Sequence, residues 1–551
     1  MTDAPRSRVD RLFDAAESVA LPALDRISGL VDAGVQAMAP QTALARKRSR
    51  AVLGSVNTAG TTAYEAGRPG RKRRFHYNTQ SGDSLSRASA QALRNQARHL
   101  ERNNDITTGI LDKLVDFSVG PNGIMVEPAP KDRDGNIHRD FAKLLRTEWE
   151  RHSESPEVTW THDRGQAERL AQRTHFRDGE TLGQLVQGPR GDRPYAGDIP
   201  VALELLEPDV LPHDYDDWGR NIRQGIERNN WGRPTAFHVY RGHPGDDWRA
   251  WNLRTKRVAA ENMLHHAHVT RIGQLRGISV LAPVITRLQD IHEYEDSERL
   301  ANKMAADLVM KITRGAPEMW GSEGGAKSYD PEDPPIFRMD GGMVVANTQP
   351  GEDAEFFNSG RPNTQAVDWV NGMLRRTSGG VGLSYSAVAR DYNGTYSAQR
   401  QELVENWPHY HALTGRFVAR WTRPHYQAFA RWVAMVYGVP ADLDVSTLTD
   451  AMYLGPPMPW IDPEKEANGK LIMLQACLTS SARVMRELGR NHEEEWRQIA
   501  SEIALKNDLQ ISSSAELPAG AQEQARPSAP EPTTEGGANA GDKPSHLRAI
   551  K

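Results

Sequence analysis

The chain has 551 residues, enough for roughly three or four domain-sized units. Its hydrophobic share of 38% is low for one tightly built enzyme and ordinary for an elongated protein with polar ends, while a net charge of -4 argues neither for nor against nucleic acid. A lone cysteine, Cys477, rules out an intrachain disulfide; the first residues lack the apolar core of a secretory signal and no apolar run reaches a membrane span's length, so a soluble protein of cytoplasmic origin is expected.

Residues 5–38 carry amphipathic spacing, with Val9, Leu12, Phe13 and Ala16 before Pro22 and Ile27, Leu30, Val31 and Val35 after it. A helix docked on the body or on a partner is expected. Residues 40–84 change character. Arg46, Lys47, Arg48 and Arg50, then Arg71, Lys72, Arg73 and Arg74, flank a spacer of Gly, Thr and Ala. They read as a mobile basic arm that either touches a polyanion or serves only as a solvated linker.

Residues 85–119 read as helical, and Gly120-Pro121-Asn122-Gly123 as a turn. A helix near 141–151 follows, then the strand-like runs TLGQLVQG, PVALELLE and TAFHVY, separated by turns such as GPRGDRP. This predicts a mixed α+β region with hairpins rather than regular β-α-β alternation. A long helix is expected from about Ser279 to Ile312, stopping at Gly315, with Pro283 in its first turn; it would span roughly 50 Å. Residues 313–360 are rich in Gly, Pro and Asp, with IFRM and MVVAN as short strand candidates in a small protruding module. A second helix follows Pro362 and is expected to end at Gly379-Gly380.

The stretch GVGLSYSAVARDYNGTYSAQR comes next. The glycines predict a turn out of helix, and Asn393-Gly394 is a strong turn pair. From Ala398 to Tyr437 a helical pattern returns, with kinks expected at Pro408 and Pro424 and an aromatic stripe read as packing. Residues 465–508 predict two or three short helices, and residues 512–551 a disordered tail.

Motifs that would carry chemistry are incomplete. The sole Gly-Lys pair, Gly469-Lys470, is followed by Leu471 and has Glu464 where a phosphate loop needs glycine. His138-Arg139-Asp140 lacks the asparagine of a kinase catalytic loop, since Leu145 stands there. His265, His266 and His268 have no completing cysteine or carboxylate pattern, and structural or exposed histidines are expected. No metal or cofactor is expected. A two-metal nuclease stays open, because its carboxylates need no fixed spacing. The profile suits a structural or conduit protein better than an enzyme.

Several segments, taken in order, resemble the portal proteins of lambda-like tailed bacteriophages: RNQARHLERNNDITTGILDKLVDFSVGPNG, RDGETL, GIERNNWGRPTAFHVY, HAHVTRIGQLRGISVLAPV, QPGED, the 380–400 stretch, and WIDPEKEANG. Each is weak alone; their order from about residue 85 to 510 makes the resemblance. It implies an α+β portal-type fold with a mixed α/β wing, long stem helices, a small β-containing clip and a helical crown. By this resemblance, residues 1–84 are the N-terminal helix and basic arm, 85–277 the wing, 278–312 the first stem helix and 313–360 the clip. Residues 361–400 are the second stem helix and tunnel loop, 401–511 the kinked helix returning to wing and crown, and 512–551 the tail.

The resemblance further implies a ring, usually of twelve copies, at one capsid vertex. Its other partners would be the terminase large subunit, the major capsid or scaffold protein, head-completion and tail connector proteins, and double-stranded DNA without sequence preference. It would reside in the virion, and in host cytoplasm during assembly, with no membrane partner. Tyr385, Arg390, Tyr392, Asn393, Thr395 and Tyr396 would be the tunnel residues. They offer neutral hydrogen-bonding groups, and Arg390 and Asp391 offset each other. The tyrosines could instead pack between neighbouring subunits. A capsid-associated scaffold without a channel, or the metal nuclease, are the alternatives for the whole chain.

Overall fold

Asn104 divides what the sequence reads as one helix. In the computed structural model, α1 (Gly82–Asn103) ends against it and α2 (Asp105–Ser118) begins with it. The Asn104 side chain accepts hydrogen bonds from the Thr107 amide at 2.8 Å and the Thr107 hydroxyl at 2.9 Å, an N-cap that starts a new helix axis. The structure describes residues 80–188, 195–246, 254–307, 310–314, 352–356, 363, 365–460 and 462–509. The expected amphipathic helix, basic arm and tail lie outside these. The chain divides into two units, residues 1–85 and 86–551; of the first, residues 80–85 are described.

β1 (Met125–Pro128) and the helix α3 (Arg139–Glu154) follow the turn at Gly120. α4 (Arg164–Asp178) has no counterpart among the elements expected from the sequence. Its apolar face is narrow: Ala167, Ala171 and Phe176 are buried, but so are Glu168, Gln172, His175 and Asp178. A helix that buries polar groups against polar partners shows no hydrophobic stripe.

The three expected strands are present as β2 (Glu180–Gln187), β3 (Val201–Leu206) and β6 (Pro234–Tyr240). β2 lies between β3 and β8 (Met263–Ala267), antiparallel to both. A four-stranded antiparallel sheet runs β4 (Ile222–Arg223), β5 (Ile226–Arg228), β6 and β7 (Thr255–Ala259).

The first long helix is shorter than expected. α5 covers Ile285–Asp307, roughly 35 Å. Pro283 precedes it in a turn rather than occupying its first turn. Lys311 and Ile312 are not helical; they lie in β9 (Met310–Arg314), paired antiparallel with β10 (Glu352–Phe356). IFRM and MVVAN fall outside the described residues. The second helix, α6 (Ala366–Val381), runs through Gly379 and Gly380 rather than ending there. Gly382 ends it, in the left-handed region at φ 74°, where a Cβ would meet His409 Nε2 at 2.6 Å.

α7 (Tyr385–Ala389) and α8 (Tyr396–Phe417) come next. Pro408 sits inside α8, and a π-helical turn, Val418–Thr422, joins α8 to α9 (Arg423–Tyr437), with Pro424 in the first turn of α9. The aromatic stripe is packing, as expected: Trp407, Tyr410, Phe417 and Trp421 are buried. One core joins Ile110, Leu111 and Leu114 of α2, Leu281 to Leu288 around the start of α5, and Trp407 and Tyr410 of α8. β11 (Ala451–Leu454) pairs with β1, and α10 (Pro463–Gln475), α11 (Ser481–Glu487) and α12 (His492–Asp508) close the described chain.

Candidate functional site

The 382–396 segment is not one uniform loop. Ser384 caps α7, accepting from the Ala387 amide at 3.3 Å, and Tyr385 is half-buried with the Arg375 guanidinium 4.9 Å from its ring. Tyr385 is therefore held against α6, apart from the exposed tip. Arg390 ends α7 at φ 53°, a left-handed conformation that costs a non-glycine residue about 1–2 kcal/mol. Beyond it Tyr392 and Tyr396 are 59% and 40% exposed, and Asn393, Gly394 and Thr395 are exposed as well. Thr395 caps α8, accepting from the Ala398 amide at 3.4 Å.

The tip is braced from the first turns of α8. Gln399 Nε2 donates to the carbonyl of Tyr392 and, at 3.4 Å, to that of Gly394. Glu402 accepts from the Ser386 hydroxyl. Neither residue is among those expected from the sequence; their spacing of three and six from Tyr396, on the helix turns beside the tip, is the signal that points to them. Arg390, Tyr392, Asn393 and Tyr396 thus share one exposed tip, while Tyr385 and Thr395 have local structural partners. The eight arm residues, Arg46 to Arg50 and Arg71 to Arg74, lie outside the described residues.

A second constellation gathers segments that stood out in the sequence. Glu180, fully buried, opens β2 directly after Gly179. It accepts from Arg276 Nε at 2.8 Å, Arg94 Nη2 at 3.1 Å and the Gly277 amide at 3.1 Å, and lies 3.0 Å from His265 Nε2. Asp178, also buried, takes a two-pronged contact from Arg98, whose Nη2 also reaches Asp209 at 2.6 Å. Arg276 donates to the carbonyls of Leu211, Pro208 and Gln224. RNQAR, RDGET, the start of the GIER turn and QLRG therefore meet in one place. The backbone is pressed there too: a Cβ on Gly277 would lie 1.9 Å from the Gly179 carbonyl oxygen.

Burial alone would raise the Glu180 pKa, but Arg276 and His265 hold it well below the usual carboxylate value. Every charge has an opposite neighbour, and the cluster offers no open face for a substrate. It is a structural keystone.

The histidines behave likewise. His266 stacks on His175 with ring centroids 3.7 Å apart, and His268 Nδ1 lies 3.0 Å from the Ile278 carbonyl. His152 and His425 meet at 3.0 Å between Nε2 atoms. His138 caps α3. Among the described residues, Glu207, Asp209 and His243 come close enough together to suggest a metal, but Arg98 and Arg94 already occupy Asp209. Also among these residues, no helix is long and apolar enough to cross a membrane.

The sequence profile of the family described as "Phage portal protein, lambda family" matches residues 68–413. The chain belongs to the lambda family of phage portal proteins. It is thus a virion protein of a structural, non-enzymatic family, which sets the nuclease alternative aside. The probable portal protein of Halomonas phage phiHAP-1 is 22% identical over 437 residues, covering 77% of this chain and 82% of that protein. Portal protein B of Escherichia phage lambda is 21% identical over 313 residues, covering 51% of this chain and 57% of the lambda protein. Among solved structures, a chain from the neck of a native GTA particle matches 74% of this portal protein and 99% of its own length, at 13% identity and a TM-score of 0.40. The family match begins inside the basic arm and takes in the buried network and the exposed tip. It ends at Leu413, so WIDPEKEANG lies beyond it.

Proposed function

We propose that this portal protein assembles as a closed ring, of twelve copies by analogy with its family, at one capsid vertex. Double-stranded DNA passes inward through the ring, driven by a separate terminase, and later outward into the tail. In this reading residues 85–277 form the wing, α5 and α6 the stem, residues 313–360 the clip that meets terminase and then head-completion and tail proteins, and residues 401–511 return to the wing and build the crown. Capsid or scaffold protein surrounds the ring, and assembly takes place in the host cytoplasm. Exposed apolar side chains on the stem, Leu300 and Val367, support burial against a neighbouring copy.

The observation that carries the reading is the tip at 390–396. Beside the one guanidinium of Arg390, its exposed groups are phenol, amide and hydroxyl, which can hydrogen-bond a sugar-phosphate backbone of any sequence without the dense positive charge that would hold it fast. No histidine or cysteine lies between Gly380 and Arg400 to act as a base or nucleophile. Changing Tyr392, Asn393 and Tyr396 together to alanine tests it. Rings should still form while genome packaging or retention falls. Failed assembly would assign these residues to a subunit interface, and normal packaging would remove the tip from DNA transit. The basic arm, residues 43–75, would add salt-sensitive contact with a polyanion or an acidic neighbour; unchanged DNA retention and salt dependence after its deletion would reduce it to a linker.

A further inference from the structure

WIDPEKEANG stands out in the sequence without a task, and the structure brings its residues from Asp462 onward to the downstream end of the exposed tip. Asp462 caps α10, accepting from the Lys465 amide at 3.3 Å, and its carboxylate pairs with Lys465 Nζ at 2.8 Å. That pairing carries the Lys465 ammonium to 5.5 Å from the ring centre of Tyr396. One residue further, Glu466 accepts from Arg400 Nη1, one helical turn after Tyr396 on α8. The Glu466 side chain is half-buried in this contact, at 15% exposure. The first turn of α8 is thus gripped at two points by the first turn of α10.

That turn also holds the tip. Gln399, between Tyr396 and Arg400, is the residue whose amide reaches the carbonyls of Tyr392 and Gly394. Within the tip, the Asn393 backbone amide donates to Asp391 Oδ1 at 3.2 Å, and Thr395 caps α8. Among the described residues α10 buries no side chain, so polar contacts weigh heavily in how it meets α8. α10 is also linked onward: Lys470 pairs with Glu487 on α11, and Arg486 on α11 pairs with Glu127 on β1 at 3.0 Å.

We propose that Lys465 and Glu466 are positioning residues that hold Tyr396 and the first turn of α8, and so set how far the 390–396 tip reaches toward DNA. The proposal rests on the reading of that tip as the DNA-facing segment. It adds that a segment more than sixty residues away in sequence controls its placement.

The test uses the full-length protein with Lys465→Ala and Glu466→Gln combined, and the exchanged pair Arg400→Glu with Glu466→Arg as rescue. Amide hydrogen exchange at residues 391–396 should quicken roughly 3- to 10-fold in the first variant. Residues 173–182, in the buried network, should be unchanged, and the exchanged pair should return the tip rates toward wild type. DNA retention in particles built with the first variant should fall.

Tip rates equal to wild type overturn the clasp, as do rates that rise equally at 173–182. Either result leaves the tip reading standing if the Tyr392, Asn393, Tyr396 alanine variant still loses DNA. Quickened tip exchange with retention intact in both variants overturns the tip reading instead. Quickened exchange with retention lost only in the alanine variant overturns the claim that the clasp sets the reach.

Discussion

Around Glu180, three arginines, two carboxylates and a histidine are packed largely out of water, each charge answered by another. Along 390–396 a single exposed arginine stands beside a single half-buried aspartate, and the other groups turned to solvent are phenol, amide and hydroxyl. Titratable, metal-capable side chains ordinarily draw attention to a region as a site. Here they are consumed in holding α1, α4, β2 and the approach to α5 together. The residues left free to meet something else are the chemically plain ones. For the proposed conduit this division is expected, because passage needs a surface that touches and lets go, on a frame held by its own contacts.

That contrast can be broken at its rigid end first. Glu180→Gln keeps the shape but leaves two buried arginines without their anion. It should destabilise the protein by about 3–5 kcal/mol in denaturant unfolding. A loss below about 1 kcal/mol would deny the network its holding role.

Acid should act next, on the same region. Burial pushes His152, His175, His266 and His425 below their ordinary value of 6.5, and His213 down to about 4. The unfolded chain takes up these protons near 6.5 and the folded chain resists them. Their stabilising contribution is therefore whole above about 6.5 and drains away as pH falls toward 4 and below. Glu180, depressed below 4.5, adds a further loss only under 4.5. Melting temperature should fall steadily from pH 6.5 downward, whereas a flat profile to pH 4 would show that these histidines are not buried neutral in solution.

The smallest effect belongs to the tip. Arg390→Gly removes a left-handed strain but adds unfolded-chain freedom, so stability should change by less than about 1 kcal/mol. Arg390→Val should cost about 1–2 kcal/mol, since a β-branched residue is poorly suited to that conformation. Equal stability of the two variants would show that Arg390 does not hold φ 53° in solution.

Much of this organisation was legible in the sequence where one face was apolar. β2, β3, β6 and α3 followed from period and turn chemistry, and the aromatic stripe of α8 was read correctly as packing. α4 was invisible because its buried face is polar. The 278–312 helix was drawn too long because Met310, Lys311 and Ile312 fit helix and strand alike; only their pairing with Ala354, Glu355 and Phe356, some forty residues on, makes them a strand. The tip was legible as a break between helices, with a bend at Gly394 rather than a hydrogen-bonded turn, and Tyr385, grouped with it through the family resemblance, has its ring beside Arg375. Nothing in sequence spacing could link Arg400 to Glu466 or Arg94 to Glu180, because such pairs exist only once distant segments have packed.

The central claim is that the plain tip lines a channel, and a channel requires a ring. Native mass measurement of the purified full-length protein, with negative-stain images of the same sample, tests this most directly. The account predicts a closed ring of discrete mass with a central hole. A monomer that persists across a wide range of protein concentrations would contradict it.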